Sequence, residues 1–113
     1  MDFSKYIDES IGLEFCGDQE LYTEMLESFI EEYDETKANI EDTYSSKDWA
    51  TYAVRVHGLK SASKMIGAMP LADKAYELEV AGKESNEALI QEKTQALLNY
   101  YKETVDAISE HIA

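Results

Sequence analysis

Apolar side chains recur every three or four residues along most of the chain, and this spacing limits the fold more than any other feature. Side chains at that spacing lie on one face of an α-helix, so the pattern predicts amphipathic helices. The longest stripe is formed by Ile90, Thr94, Leu97, Tyr101, Val105, Ile108 and Ile112. No segment shows the sustained alternation of apolar and polar residues that is typical of strands. The sequence therefore predicts an all-α protein.

Glycines, capping residues and a single proline indicate where the helices begin and end. Ser, Asp and Asn favour the position before a helix, proline is tolerated in the first turn, and glycine favours helix ends. The first predicted elements are a leading helix over 3–11 and a loop from Gly12 to Gly17. Four longer helices follow. The first covers 18–44, the second runs from Ser45 or Ser46 to Gly67, the third from Pro70 to Gly82, and the fourth from Ser85 or Asn86 to 112. Long helices with short connections predict an antiparallel, up-down-up-down four-helix bundle in a single domain, residues 1–113.

The charge of the chain argues against several classes of partner. Its 24 acidic and 10 basic residues give a net charge of −14, which would repel nucleic acid phosphates and anionic membrane surfaces. No apolar run approaches the roughly 20 residues that span a membrane, and the first residues lack the features of a signal peptide. Cys16 is the only cysteine, so no internal disulfide can form. We therefore expect a cytoplasmic protein that binds neither nucleic acid nor membranes.

A histidine, His57, lies at the edge of the apolar stripe in the second long helix. On a helix, Lys60, Ser61 and Lys64 fall within about 60° of His57. Small side chains flanked by two lysines, on an otherwise acidic protein, suit an imidazole that a large molecule must approach. From spacing alone, however, a histidine at the edge of the core that is held by a carboxylate is the simpler interpretation.

The segment His57-Gly58-Leu59-Lys60-Ser61-Ala62-Ser63 resembles the signature of histidine-containing phosphotransfer (HPt) domains. That signature is a histidine, any residue, leucine or phenylalanine, a lysine, and then small residues. The similarity runs from about Gly12 to Glu79, and it includes Ile66-Gly67-Ala68 and Leu78-Glu79. The resemblance implies a four-helix bundle that relays phosphoryl groups in multistep signalling.

The resemblance also implies a role for several residues. His57 would accept a phosphoryl group from the aspartyl-phosphate of one receiver domain and pass it to the aspartate of another. Lys60 would lie near the phosphoryl oxygens, and Glu79 would accept a hydrogen bond from the imidazole and orient it. The expected partners are response-regulator receiver domains and a hybrid histidine kinase, and the chain itself is expected to be a monomer.

The expected chemistry needs no cofactor from this chain. Mg²⁺ and the reacting aspartate would come from the receiver domain, so no metal site is predicted here. The sequence contains no glycine-rich phosphate-binding motif, so autophosphorylation from a nucleotide is not expected. The chain is predicted to be a phosphotransfer carrier whose active site is completed by its partner.

Two positions depart from the family pattern. Ser61 stands where glycine is common, which keeps the side chain small. Lys64 stands where the family mostly has a small residue, so it would add a cation for the phosphoryl group, obstruct docking, or select a partner by its charge.

An apolar patch beside the histidine would be needed for docking. The candidate docking residues are Val54, Gly58, Met65, Ile7 and Ile11. For Val54 and Met65 the alternative is packing under the leading helix.

The sequence is compatible with a second function and argues against a third. A docking module that binds a receiver or a kinase without being phosphorylated would use the same bundle surface, and Lys64 supports this alternative. A metal-binding bundle is disfavoured because the sequence lacks the Glu-x-x-His pairs of di-iron bundles.

Overall fold

Seven α-helices and no strands make up residues 2–113, the part of the chain that the computed structural model describes. The helices are α1 (Phe3–Tyr6), α2 (Glu9–Cys16), α3 (Gln19–Glu31), α4 (Tyr33–Ser45), α5 (Trp49–Met65), α6 (Met69–Lys83) and α7 (Glu87–Ile112). Only Glu32 separates α3 from α4, and the two follow each other as one side of a bundle whose other sides are α5, α6 and α7. The predicted four-helix bundle is confirmed.

The bundle core combines the apolar stripes of these helices. The side chains of Tyr52, Val56, Leu59 and Ile66 on one side of α5 are at most 2% exposed, as their spacing predicted. The buried Tyr52 hydroxyl shares a 2.6 Å hydrogen bond with the hydroxyl of Thr94, so its polar atom is not left unpaired. Within residues 2–113, no helix combines the length and apolar character that a membrane span requires.

The leading segment differs from its prediction because it contains two short helices. Asp8 accepts a 3.1 Å hydrogen bond from the backbone N–H of Ser10 and caps a new helix, which carries on through Gly12 where a loop was expected. Ile7 lies between the two helices in an extended conformation, and its side chain is 3% exposed. The prediction that Ile7 belongs to a docking surface is therefore wrong, because this side chain packs into the core.

Several helix boundaries were predicted correctly from capping residues. Asp18 and Asn86 cap α3 and α7 through their side chains, and Pro70 lies in the first turn of α6. Gly67, which has a φ of +83°, follows the end of α5.

Three boundaries were wrong. The predicted 18–44 helix is interrupted at Glu32, and Asp48, rather than Ser45 or Ser46, caps α5. Gly82 does not end α6, which continues to Lys83. Gly82 is instead buried where α6 approaches α5, and a Cβ there would lie 3.0 Å from the Cβ of Ala53. The glycine thus allows a close helix contact, which local sequence does not reveal.

The turn between α5 and α6 is held in place by the leading segment and by α3. The backbone N–H of Asp8 donates a 2.9 Å hydrogen bond to the carbonyl of Gly67. The buried hydroxyl of Tyr22 donates a 2.8 Å bond to the carbonyl of Ile66. Gly12 packs against both Tyr22 and the Ile66 carbonyl, without room for a Cβ. These contacts fix the end of α5 and therefore the direction in which α6 returns along it.

Two glycine substitutions test this packing. We expect Gly12→Ala to lower the free energy of unfolding by about 1–3 kcal/mol, because its Cβ would overlap the Tyr22 ring and lie 2.7 Å from the Ile66 carbonyl oxygen. Gly58→Ala is the matched control, because a Cβ at this position in α5 meets no atom within 4 Å. It should raise the free energy of unfolding by about 0.5–1 kcal/mol through helix propensity. Urea denaturation measures both, and equal effects would contradict the packing argument.

Candidate functional site

The exposed edge of α5 carries His57, whose side chain is 55% exposed. The imidazole Nδ1 lies 3.1 Å from Oε2 of Glu79 on α6. Glu79 is 3% exposed as a residue, so its carboxylate is buried between the two helices. The close contact of Ala53 and Gly82, less than two turns away on the two helices, brings α6 near enough for this pair to form. The structure therefore brings together two residues that lie 22 positions apart in sequence.

Three nitrogen groups surround the Glu79 carboxylate. The ammonium of Lys60 lies 2.7 Å from Oε1. The ammonium of Lys83 lies 3.0 Å from Oε2, the same oxygen that faces the His57 imidazole. Burying a carboxylate is costly unless it is paired and hydrogen-bonded. Here each oxygen faces at least one nitrogen group, although the 2.7 Å ion pair of Lys60 with Oε1 lacks hydrogen-bond geometry.

The balance of these effects determines the charge of Glu79. Burial acts to raise the pKa of the carboxyl group. The close contacts with Lys60, Lys83 and His57, together with the nearby imidazole charge, outweigh it and lower the pKa from 4.5 to about 2. Glu79 is therefore a carboxylate at neutral pH.

An ionised carboxylate constrains the imidazole beside it, because it can accept hydrogen bonds but cannot donate them. A neutral His57 must carry its proton on Nδ1 to make the 3.1 Å contact, and the Nε2 lone pair is then free. Nε2 has no hydrogen-bond partner within the described chain. The arrangement can hold one tautomer of a histidine with its second nitrogen available to a partner.

The two lysines at the site have different environments. The Lys60 side chain is 13% exposed, and its ammonium lies 5.1 Å from the centre of the Tyr76 ring. This ammonium is paired with Glu79 rather than directed to solvent. The Lys83 side chain is 67% exposed, and it was not among the predicted site residues. Its position four residues after Glu79, one helical turn away, was the signal that could have identified it.

The predicted docking residues on α5 are distributed over its exposed face. Val54 is 65% exposed, and Gly58, Ser61 and Lys64 are exposed too. Val54 therefore does not pack under the leading helices. Met65 is half-buried, and its backbone carbonyl accepts a long, 3.9 Å hydrogen bond from Sγ of Cys16 on α2. Ile11, on α2, is 36% exposed.

Two surface grooves flank Val54. A groove of about 410 Å³ lies towards α6, and its walls include Ala50, His57, Glu79 and Lys83. A second groove of about 250 Å³ lies towards the α3–α4 junction, and it is lined by Phe29, Glu32, Thr36, Asn39, Val54, Arg55, Gly58, Leu59, Ala62 and Tyr101. The imidazole thus stands at an open, concave surface and not in an enclosed pocket.

Comparison with known proteins identifies the family. The model of the Hpt domain family matches residues 24–111, which is well over half of the chain. The chain belongs to the Hpt domain family. Hpt domains are phosphotransfer carriers of two-component phosphorelays, in which they work with receiver domains and histidine kinases.

A solved structure resembles this Hpt domain over nearly its whole length. It is the HPt domain of the Hpt sensor hybrid histidine kinase from Shewanella, which aligns with a TM-score of 0.85 and 21% sequence identity. The alignment covers 98% of this chain and 96% of that chain. At 21% identity this similarity is evidence for the shared fold alone. No curated protein matches the chain significantly.

The described part of this Hpt domain, residues 2–113, contains no group of three or more His, Cys, Asp or Glu side chains arranged to hold a metal ion. Glu79, the buried carboxylate of the site, faces nitrogen donors on both oxygens. Its lone pairs are thus directed at cations that the chain itself supplies.

The depressed pKa of Glu79 predicts how stability depends on pH. The carboxylate should stabilise the fold above pH 4.5, and this contribution should be lost as the pH falls towards about 2. Glu79→Gln should therefore lower the free energy of unfolding at pH 7, by at most about 3 kcal/mol, and the difference from the wild type should vanish near pH 2. Glu84→Gln, at an exposed position after α6, is the matched control. Denaturation at several pH values measures the difference, and a constant Glu79→Gln deficit down to pH 2 would contradict the assignment.

The environments of the two lysines predict different effects on stability. Lys60→Gln should lower the free energy of unfolding at pH 7 by about 1–3 kcal/mol, because Oε1 of a buried carboxylate loses its partner. Lys83→Gln should cost less than about 1 kcal/mol, because this ammonium is largely solvated. Urea denaturation of both variants tests the difference, and the reverse order would show that Lys83 is the structural partner.

Proposed function

We propose that His57 is the phosphoacceptor of this Hpt domain, and that it relays a phosphoryl group between the aspartates of two receiver domains. The observation that carries the proposal is the contact of His57 with a buried, ionised Glu79. The contact makes Nδ1 the protonated nitrogen and leaves Nε2 as the nucleophile.

The transfer step needs no proton movement. The Nε2 lone pair attacks the phosphorus of the receiver's aspartyl-phosphate, and an N–P bond forms as the P–O bond to the aspartate breaks. The aspartate leaves as a carboxylate, and the imidazole becomes a cation that keeps its proton on Nδ1. Glu79 accepts that proton's hydrogen bond and stabilises the positive charge. In the second transfer the aspartate of another receiver attacks phosphorus, and neutral imidazole leaves.

Lysines near the imidazole would neutralise charge on the phosphoryl oxygens, which is the main electrostatic requirement of such a transfer. Lys83 is the better placed of the two to move, because its side chain is 67% exposed. The Lys60 side chain is 13% exposed, and its ammonium lies 2.7 Å from Oε1 of Glu79. It therefore fixes the position of the carboxylate and contributes a positive charge that does not move. The role of Lys60 therefore becomes partly that of a positioning residue.

The partner would supply the rest of the active site. We propose that a receiver domain contributes Mg²⁺ and the reacting aspartate, and that this chain acts as a carrier without kinase activity of its own. The phosphoryl group would come from a hybrid histidine kinase and pass to a response regulator. Docking would use the exposed face of α5, with Val54 and Gly58 beside the imidazole, and the partly exposed Ile11 of α2 remains a further candidate.

The test uses a receiver domain encoded in the same genome, phosphorylated with radioactive phosphate. It measures whether the phosphoryl group is transferred to this chain. We expect label to reach the wild-type chain as an acid-labile, base-stable phosphohistidine, and to be absent from His57→Gln. His111→Gln is the matched control because His111 is the only other histidine. It should accept label at the wild-type rate.

Two results would contradict this proposal. Label that still reaches His57→Gln would show that another residue is the acceptor. Receiver binding that is unchanged in His57→Ala, with no acid-labile phosphate on the wild type, would identify a docking module that is not phosphorylated.

A further inference from the structure

The helix that carries His57 lies in the longest stretch of the chain without an acidic residue. Residues 49–72 contain no Asp or Glu, although the chain has 24 of them, and they include three basic residues, Arg55, Lys60 and Lys64. By contrast, residues 18–46, which form α3 and α4 with their ends, contain ten acidic residues and one basic residue, Lys37. The charge of the protein is therefore strongly uneven between adjacent sides of the bundle.

Two of these three cations have no anionic partner within residues 2–113. Lys60, the third, is paired with Glu79. The other lysines that lie within 3.8 Å of a carboxylate are Lys37, Lys47, Lys83, Lys93 and Lys102. Lys5 and Lys74 lie over tyrosine rings. Arg55 and Lys64 are exposed and make neither kind of contact within the described chain. Both lie on α5.

The unpaired cations bracket the imidazole along the helix. With a rise of about 1.5 Å per residue, Arg55 lies about 3 Å before His57 and Lys64 about 10 Å after it. In projection, Lys64 shares the edge of the exposed face with His57, whereas Arg55 lies on the opposite edge, at the groove towards α3 and α4. Between the two edges the surface is neutral and contains Val54 and Gly58.

We propose that this face of α5 receives a receiver domain whose docking surface carries carboxylates at its rim, opposite Lys64 and Arg55. The inference rests on the proposed phosphorelay function and adds the partner's charge pattern and the residues that select it. Charge complementarity supports this docking mode, because these cations are free of intramolecular partners and lie at the two edges of the exposed face of α5 that carries His57. Complementary rim charges chiefly set the association rate and the orientation of a complex.

The neighbouring acidic side of the bundle would reinforce this orientation. A receiver surface rich in carboxylates would be repelled by α3 and α4 and attracted by α5, so that it approaches the imidazole. Electrostatic screening acts over about 8 Å at physiological ionic strength. The local cations of α5 would therefore outweigh the net charge of −14 at close range.

The experiment compares two phosphodonors on the same variants. One donor is a phosphorylated receiver domain that labels the wild-type chain, and the other is phosphoramidate, a small molecule that makes no docking contact with α5. The variants are Lys64→Gln, Lys64→Glu and Arg55→Gln. Lys74→Gln is the matched control, because Lys74 also lacks a carboxylate partner but lies in the groove between α6 and α7.

We expect transfer from the receiver in 0.05 M salt to slow by about 1.5- to 5-fold in Lys64→Gln and in Arg55→Gln, and by more in Lys64→Glu. The differences should disappear in 0.5 M salt. Lys74→Gln should match the wild type, and phosphoramidate should label all variants at the wild-type rate.

The outcomes separate this inference from the function on which it rests. If neither donor labels the wild type at His57, the proposed function fails. If both donors label it and Lys64→Glu transfers from the receiver as fast as Lys74→Gln, the charged docking face is refuted. Faster transfer in Lys64→Glu would also refute it, and would show that Lys64 obstructs docking.

Discussion

The site depends on one buried carboxylate. Glu79 is the point at which α6 and α5 are joined by charge, with Lys60, Lys83 and His57 all within 3.1 Å of its oxygens. A carboxylate so placed would be unfavourable without its partners, which means that the fold and the site stabilise one another. The same group that links two helices also determines which imidazole nitrogen is free.

The contact between α5 and α6 is possible because the two backbones approach closely. Gly82 lacks a Cβ where Ala53 needs the space. Asp8 of the leading segment and Tyr22 of α3 fix the turn between α5 and α6 through hydrogen bonds to Gly67 and Ile66. Residues that carry no chemistry therefore set the 3.1 Å distance between His57 and Glu79. The leading segment, which is only a minor part of the bundle, belongs to this support.

Charge is distributed unevenly between adjacent sides of the bundle. An excess of carboxylates covers α3 and α4, whereas α5 has none and presents Arg55 and Lys64 to solvent. Net charge alone would describe the protein as uniformly acidic. The folded structure instead places Arg55 and Lys64 at the two edges of the exposed face that carries His57, next to the acidic side formed by α3 and α4.

Sequence alone determined the all-helical fold, most of the long helices, and the stripe that turns His57 to the edge of the core, because helical periodicity acts over a few residues. It narrowed the caps of α3 and α7 to neighbouring residues that include Asp18 and Asn86. Contacts between distant segments could not be derived that way. Only the tertiary structure decided that Ile7 is buried, that Gly82 is a helix contact, and that Lys60 of α5 pairs with Glu79 of α6. These outcomes depend on which surfaces of different helices meet, and the spacing of residues within one helix carries no information about its neighbours.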